Sequence, residues 1–469
     1  MKTSLFSAFL LSFILLNACT SKNQSDQLLL TGLHVIDIET GDIAENHSIL
    51  IEGNTIMDIF EDGSKNTEGA RSLSMQGKFA IPGLWDMHIH LRGGQELIGS
   101  NKEMLPLYIA NGVTTVRDAG GDLTSSIFEW RSEIKTDSLT GPYIYTSGPK
   151  IDGPDPTWEG SIEVQSSEHI TQALDSLQSM GVDYIKIYES TLSGEAYLEI
   201  IRQAEERGLT VTGHMPMSIF IDDAITAGLD GIEHLYYVLK GTSDREGEIT
   251  SKVYNGQLGF WGAVAELKDS YNEDTARVFY QTLADENVYV VPTLHIDDVL
   301  SFLHEEDHSG DEYLQYIPDD IRQTYQRRVR SAQRRDAEAI QFEKELNDLF
   351  KKVTRDMQQA GVKLLAGSDA GAYNSYVYPG ISLHRELEAF VKSGMTPLQA
   401  LLASSYNGAH FFGDYGRVGS IDAGKKADLV ILNANPLSDI RNTTNIHAVV
   451  SNGELLTSES LNELPQTQD

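Results

Sequence analysis

The sequence predicts an α/β fold, a (β/α)8 TIM barrel with short strand-rich segments on either side of it. Three observations lead there. Between Ala80 and Asp369, eight short apolar runs alternate with longer stretches of helical pattern, the order that gives parallel strands joined by helical crossovers. The residues able to carry chemistry fall at the ends of those runs, where such barrels hold their functional groups. The flanks, Leu28 to Met75 and Gly419 to Glu454, read instead as strands cut by turns such as Gly41-Asp42, Gly53-Asn54 and Asp62-Gly63.

With 469 residues, 40% hydrophobic and 22% charged, the chain can bury a large core and has the composition of a soluble globular protein. A formal net charge of -33 argues against nucleic acid as a partner and against charge-driven docking on anionic lipid. The single cysteine, Cys19, excludes a disulfide within the chain and a cysteine-based zinc site. Met1-Lys2 followed by the apolar run Leu5 to Leu16 is too short for a stable membrane span and reads as a signal peptide over 1–18. Leu16-Asn17-Ala18-Cys19 resembles a bacterial lipobox, which implies export to the cell envelope and a membrane anchor through a lipid on Cys19. Thr20, rather than an aspartate, points to the outer membrane, and 19–27 reads as a polar tether.

Within the first flank, 28–79, Leu30 to Asp37, Ser48 to Asn54 and Ile56 to Ile59 read as strands, and His34 and His47 as packing or surface residues. The barrel, 80–412, starts with Ala80 to His90. Side chains alternate along a strand, so His88 and His90 face the same way. Lys102 to Asn111 reads as a helix. The following strands are Gly112 to Asp118, Tyr143 to Gly148, Val182 to Tyr188, Leu209 to His214, Gly231 to His234, Val288 to Leu294 and Val362 to Asp369. The stretch 301–359 exceeds a simple crossover. Phe342, Leu346, Leu349, Phe350, Val353 and Met357 keep helical spacing, which predicts an inserted helical pair over the barrel mouth. Arg327, Arg328, Arg330, Arg334 and Arg335 within it read as a solvated helix face, with capture of a substrate carboxylate as the alternative. Strands resume over 413–458, and 459–469 reads as a disordered polar tail.

An isolated His-x-His is a weak signal, but here Lys186, His214, His234 and Asp369 follow in order, each at or near the end of an apolar run. This ordered set, with Gly419-Ser420-Ile421-Asp422-Ala423-Gly424-Lys425-Lys426-Ala427-Asp428, resembles the amidohydrolase superfamily, in particular its imidazolonepropionase-related and prolidase-like branch. The resemblance runs from about Leu28 to Leu456. It implies that the two flanks form one small composite β-sandwich beside the barrel. It implies two divalent metal ions, zinc by default, held by His88, His90, His214, His234 and Asp369 and bridged by Lys186 as a carbon dioxide-derived carbamate. A lysine mid-strand in an apolar run is otherwise costly, and burial near cations eases loss of its proton. Two such metals, roughly 3.5–4 Å apart, share a hydroxide that attacks a carbonyl, with Asp369 as the catalytic proton carrier to the leaving nitrogen.

Tyr188 lies two residues beyond Lys186 and faces the same way, so it is a substrate-binding candidate, as are Tyr236 after the His234 strand and His295 at the end of the seventh. Arg117 reads as a structural partner of Asp118. Pro216 stands where many relatives carry a second histidine, and Tyr188-Glu189-Ser190 replaces a glycine-rich continuation, so the pocket differs from theirs. The expected activity is hydrolysis of an amide C–N bond in a small-molecule substrate, such as a dipeptide or N-acyl amino acid. The alternatives are opening of a cyclic amide or lactone, a mononuclear deaminase and a non-catalytic surface-binding lipoprotein. Met215-Pro216-Met217 lacks the glutamate of the deaminase motif. Homo-oligomerisation stays open.

Overall fold

The computed structural model describes residues 27–464. The expected signal peptide, Cys19 and all of the tether except Gln27 lie outside the described residues, as do 465–469. No helix among the described residues is long and apolar enough to cross a membrane.

Both flanks enter one seven-stranded sheet, in the order Glu454–Thr457, Ile446–Ser451, Leu429–Leu432, Arg71–Pro82, Gln27–Ile36, Ile43–Glu52 and Thr55–Glu61. The join is the antiparallel pairing of Val430 with Ile81, deep in the sheet. The expected sandwich of two sheets is therefore one continuous sheet that bends. Its register slips between Leu30 and Leu33, which curves the strand. The hairpin at Gly53-Asn54 then returns to the other end: Ile56 N–H donates to Lys425 O and Ala427 N–H to Asn54 O, both at 2.8 Å. Leu30, Ile49, Ile51, Leu429, Ile431 and Val450 fill the space the curve encloses.

The central body is α/β, with two parallel sheets. In one, Ala370–Gly371, Leu84–His90, Val113–Asp118 and Tyr143–Thr146 run side by side. The other orders Tyr289–Val291, Gly231–Glu233, Val211–Gly213, Ile185–Ile187, Ile151–Asp152 and Ile162–Glu163. Hydrogen bonds span the gaps between them. Asp183 N–H donates to Thr146 O at 2.9 Å on one side; Leu365 N–H to Val290 O at 2.9 Å and Met87 N–H to Ala366 O at 2.8 Å cross the other. Ile89, Val116, Ile144, Ile185, Val211, Ile232 and Val290 are all fully buried, as strands covered on both faces require.

Several elements depart from expectation. The run 362–369 forms no regular strand: Leu364 makes a single bridge to Val290, and the strand Ala370–Gly371 begins just past Asp369, whose backbone is left-handed (φ 60°). The short strands Ile151–Asp152 and Ile162–Glu163 were not foreseen. The helix expected over 102–111 is two, Ile98–Glu103 and Leu105–Ala110, the second beginning around Pro106, which cannot donate into a preceding turn. The inserted pair is present as Asp319–Ala332 and Ala337–Gln359, with Leu346, Phe350, Val353 and Met357 buried. The polar tail expected from 459 is corrected over 459–463, which with Ser458 is helical. The first turn of this helix is capped by Thr457, and Leu461 is buried against Ile109 and Val449. Leu461, with Leu464 packed against the same cluster, anchors this polar stretch.

Candidate metal centre

The strand Leu84–His90 delivers both of its histidines into the interior, as alternation requires. Gly367 and Gly371 let the Asp369 segment lie against that strand. A Cβ on Gly371 (φ 147°) would meet His90 O at 2.3 Å, and one on Gly367 would meet His88 Cβ at 2.6 Å. Asp369 is thereby held with Oδ1 3.0 Å from His90 Nε2 and 3.7 Å from His88 Nε2. Among the described residues, one donor atom from each of His88, His90 and Asp369 falls within 4.8 Å of the others. Asn374 Nδ2 donates to Asp369 Oδ1 at 2.8 Å and steadies the carboxylate.

The other three candidates join the same cavity. His234 follows Gly231–Glu233 in a left-handed backbone (φ 65°), which turns its ring inward. The His234 ring lies 4.8 Å from that of His88 and 5.0 Å from that of His214. His214 Nδ1 is 2.9 Å from Glu189 Oε2, and His234 Nδ1 is 2.8 Å from Thr293 Oγ1. With Nδ1 engaged on each, Nε2 is the nitrogen left to face a cation. Burial holds His88, His90 and His214 well below their ordinary range and His234 at about 4. All four are therefore neutral near pH 7, the form that ligates metals. Lys186 is 1% exposed, its Nζ makes no hydrogen bond, and Glu233 Oε1 is 3.8 Å away. Burial pulls the Lys186 ammonium down to about 8, against the opposing pull of Glu233. A buried amine without a hydrogen bond, beside neutral imidazoles and a carboxylate, fits a nitrogen- and oxygen-rich donor set for divalent metal.

Sequence reasoning missed the groups that orient this set. Glu233 binds His88 Nδ1 at 2.5 Å, receives Arg117 at 2.7 and 2.8 Å, and accepts from Thr212 Oγ1 at 2.6 Å. Burial alone would raise the Glu233 carboxyl, but Arg117, then Lys186 and His88, hold it well below its usual range. Arg117 thus pairs with Glu233 across the interior and not with Asp118, which instead accepts from Leu91 N–H and Thr146 Oγ1. A glutamate inside the apolar run Gly231-Ile232-Glu233 was a signal for this, since an acid there demands a partner. Glu189 likewise takes His214 on one oxygen and Tyr237 on the other.

The cavity has a volume of about 420 Å³. Tyr188 lines it, its ring 4.4 Å from that of His214, and Tyr236 lines it with its hydroxyl donating to Asp297 Oδ1 at 2.8 Å. His295 does not line it, and this expectation is corrected. The seventh strand ends at Val291, and the left-handed Thr293 starts the helix Leu294–Phe302, so strand alternation no longer applies. The His295 backbone N–H goes to Glu386, and its helical neighbours Ile296 and Asp297 reach the cavity instead. The arginine cluster divides. Arg328 and Arg335 both line the cavity, Arg328 donating to Asn374 Oδ1 at 2.7 Å and Arg335 pairing with Glu343, while Arg327, Arg330 and Arg334 face solvent. Arg92, two residues past His90, donates to the same Asn374 oxygen at 3.1 Å, and Lys150, buried and drawn down to about 7 by burial, stands 5.5 Å from the Tyr188 ring.

The amidohydrolase family profile matches residues 79–456 of the chain. An imidazolonepropionase from Geobacillus kaustophilus (strain HTA426) is 40% identical over 80 residues, 17% of this chain and 18% of that protein. A dihydroorotase from Pelotomaculum thermopropionicum (strain DSM 13744 / JCM 10971 / SI) is 40% identical over 67 residues, 14% of this chain and 15% of that protein. Each match thus spans less than a fifth of the relative's length. Among solved structures, bottromycin amidohydrolase superposes with a TM-score of 0.72 at 21% identity, covering 94% of this chain and 89% of that one. An Xaa-Pro dipeptidase with bound methionine gives 0.67 at 20% identity, covering 92% and 100%. A putative prolidase from Bifidobacterium longum gives 0.66 at 22%, covering 94% and 98%. At such identities these likenesses establish the fold alone.

Proposed function

The chain belongs to the amidohydrolase family, and from that premise we propose that it is a metal-dependent hydrolase cleaving the amide C–N bond of a small substrate that carries a carboxylate, such as a dipeptide or N-acyl amino acid. The observation that carries this reading is the convergence of His90, Lys186, His214, His234 and Asp369 on one cavity, with His88 beside His90 and Asp369 behind its wall and Lys186 Nζ buried without a hydrogen bond. We read the two parallel sheets as the wall of one barrel. His88, His90 and Asp369 would hold one divalent ion and His214 and His234 a second, zinc in both cases. Lys186 would bridge them once its neutral amine adds carbon dioxide and releases a proton. Such ions, when bound, polarise a carbonyl and make water acidic near neutral pH.

The chain's own groups supply the rest. Asp369 Oδ1 lies beside His88 and His90 at the cavity and would accept a proton and return it to the leaving nitrogen. Arg92 and Arg328 meet at Asn374 beside it, with Lys150 nearby, so positive charge gathers on one side of the cavity. A carboxylate on the leaving half would bind there and fix the scissile bond over the histidines. The inserted helix Ala337–Gln359 lines the cavity with Leu346 and Phe350. Arg328 revives the carboxylate-capture alternative for one member of the arginine cluster.

Amino-acid release from a panel of dipeptides and N-acyl amino acids, using zinc-loaded protein lacking residues 1–19, tests the reading. Release is expected from wild type and a loss of at least about a thousandfold in kcat/KM in Lys186→Ala, as for an interaction essential to the transition state. No release from protein that holds two metals would defeat it. That outcome favours a second reading, opening of a cyclic amide or lactone, for which the local similarity to an imidazolonepropionase speaks. No release from protein that cannot hold metal, or ligand binding unchanged by metal removal with no turnover, would favour the silent binding lipoprotein. The anchor is part of the same proposal: Cys19→Ala should move the protein from the membrane fraction to the soluble envelope fraction.

A further inference from the structure

On the side of the cavity formed by the helix Leu294–Phe302 and the insertion, two buried acceptor oxygens make no hydrogen bond, although Arg328 and Arg335 of the insertion line the same cavity. Asp297 is 7% exposed; Tyr236 satisfies its Oδ1, while its Oδ2 makes no hydrogen bond. Asn347 is 3% exposed; its Nδ2 donates to Asp298 at 2.7 Å, and its Oδ1 is likewise unpartnered. Both residues line the cavity. The nearby arginines are engaged elsewhere, Arg328 with Asn374 and Arg335 with Glu343 and the Leu300 carbonyl. Around these oxygens stand aromatic rings. Tyr236 meets Phe350 edge-on at 5.1 Å and Trp261 edge-on at 5.6 Å.

Buried acceptors without partners are costly, and an aromatic wall attracts a cation but offers no compensation to a neutral alkyl group's lack of donors. A primary ammonium brings three donors and a positive charge in a compact head. We propose that Asp297 and Asn347, walled by Tyr236, Trp261 and Phe350, form a subsite for a primary ammonium group on the acyl half of the substrate. The assignment to the acyl half rests on the amide-hydrolase reading: with the leaving half's carboxylate at Arg92 and Arg328 and the scissile bond at the histidines, this wall receives what remains. Burial lifts the Asp297 carboxyl to about 8, with Asp298 and Asp369 adding to the rise and Tyr236 and Arg328 opposing it, and a bound cation would favour its ionised form.

The test compares 6-aminohexanoyl-alanine with heptanoyl-alanine, which differ by an ammonium in place of a methyl group. Zinc-loaded full-length protein is titrated with each, affinity being read calorimetrically as Kd where the amide survives and as KM where alanine is released. The ammonium compound should bind at least tenfold more tightly to wild type. Asp297→Asn should bring that ratio to within about threefold. Trp261→Ala, at a position 58% exposed and so tolerant of substitution, should lower it roughly two- to fivefold as one cation–π wall is lost. Equal affinities in wild type, or a ratio that survives both substitutions, would overturn the subsite. Alanine release from both compounds without preference would overturn the subsite and leave the hydrolase reading standing. Preference without any release would do the reverse.

Discussion

Glu233 concentrates the residue-scale argument. It is fully buried and ties together a histidine, an arginine and a threonine drawn from other strands. Glu233→Gln removes the charge opposite Arg117, which is itself fully buried. Breaking a buried pair from one side should destabilise the fold by about 3–5 kcal/mol, read as a lower denaturant midpoint at unchanged slope. An unaltered midpoint would mean that Arg117 finds another acceptor. Glu189 acts more locally, through His214 Nδ1. Its replacement by Gln should weaken metal binding about 10- to 100-fold with little change in melting temperature of the metal-free protein, measured by competition with a chelator of known affinity. Three residues in or beside the site, His234, Thr293 and Asp369, adopt left-handed backbones that only the surrounding structure can enforce. Neither their strain nor the orientation it imposes on His234 and Asp369 was visible in residue identity.

At the scale of elements, the decisive pieces are those that end where a strand gives way to something else. The seventh strand stops two residues before Thr293, and the helix that follows presents Asp297 to the cavity where His295 was expected. The short C-terminal helix Ser458–Glu463 is held by a capping threonine and one buried leucine. Leu461→Ala should cost about 2 kcal/mol, at the lower end for a leucine truncation because the site is peripheral, and should raise hydrogen exchange in Ile446–Ser451 beneath it. A change below about 0.5 kcal/mol would show that the helix is not docked in solution. The insertion helix Ala337–Gln359 was legible from its apolar spacing, because a long amphipathic stripe survives any tertiary context. Which of the neighbouring arginines would turn inward was not, since that depends on where Asn374 lies.

For the whole molecule, two solution behaviours follow. Metal bound only by the folded state adds RT ln(1 + [L]/Kd), about 2.7 kcal/mol at a hundredfold excess over Kd. Chelation should therefore lower the melting temperature, and restoring zinc should return it. His384, on the helix Ile381–Ser393, is fully buried, its ring nitrogens 2.9 Å from Thr443 Oγ1 and from Asn111 O. Burial drops its pKa from 6.5 to about 4. Between those values the unfolded chain takes up a proton that the folded chain resists. The stability this neutral ring contributes is complete above about pH 6.5 and is lost as pH falls towards about 4, by about 3 kcal/mol. His384→Gln should flatten the pH dependence of the melting temperature in that window, and an unchanged slope would count against it.

By itself the sequence determined the family, the alternation of parallel strands and helices, the sharing of one small domain by both flanks, and the metal-ligand candidates. These are legible because each rests on short-range pattern: periodicity of two or 3.6, turn residues, and the position of a histidine relative to a strand end. Tertiary structure alone decided what surrounds those ligands. It placed Glu233 between His88 and Arg117, set Arg92 and Arg328 on one asparagine, kept His295 out of the cavity and brought Asp297 in. It also made the small domain one bent sheet, because register slips set the curvature. Such partners come from residues up to 282 apart in the chain, as in the pairing of Arg92 with Asn374, and no local pattern encodes which of many polar groups a buried charge will meet.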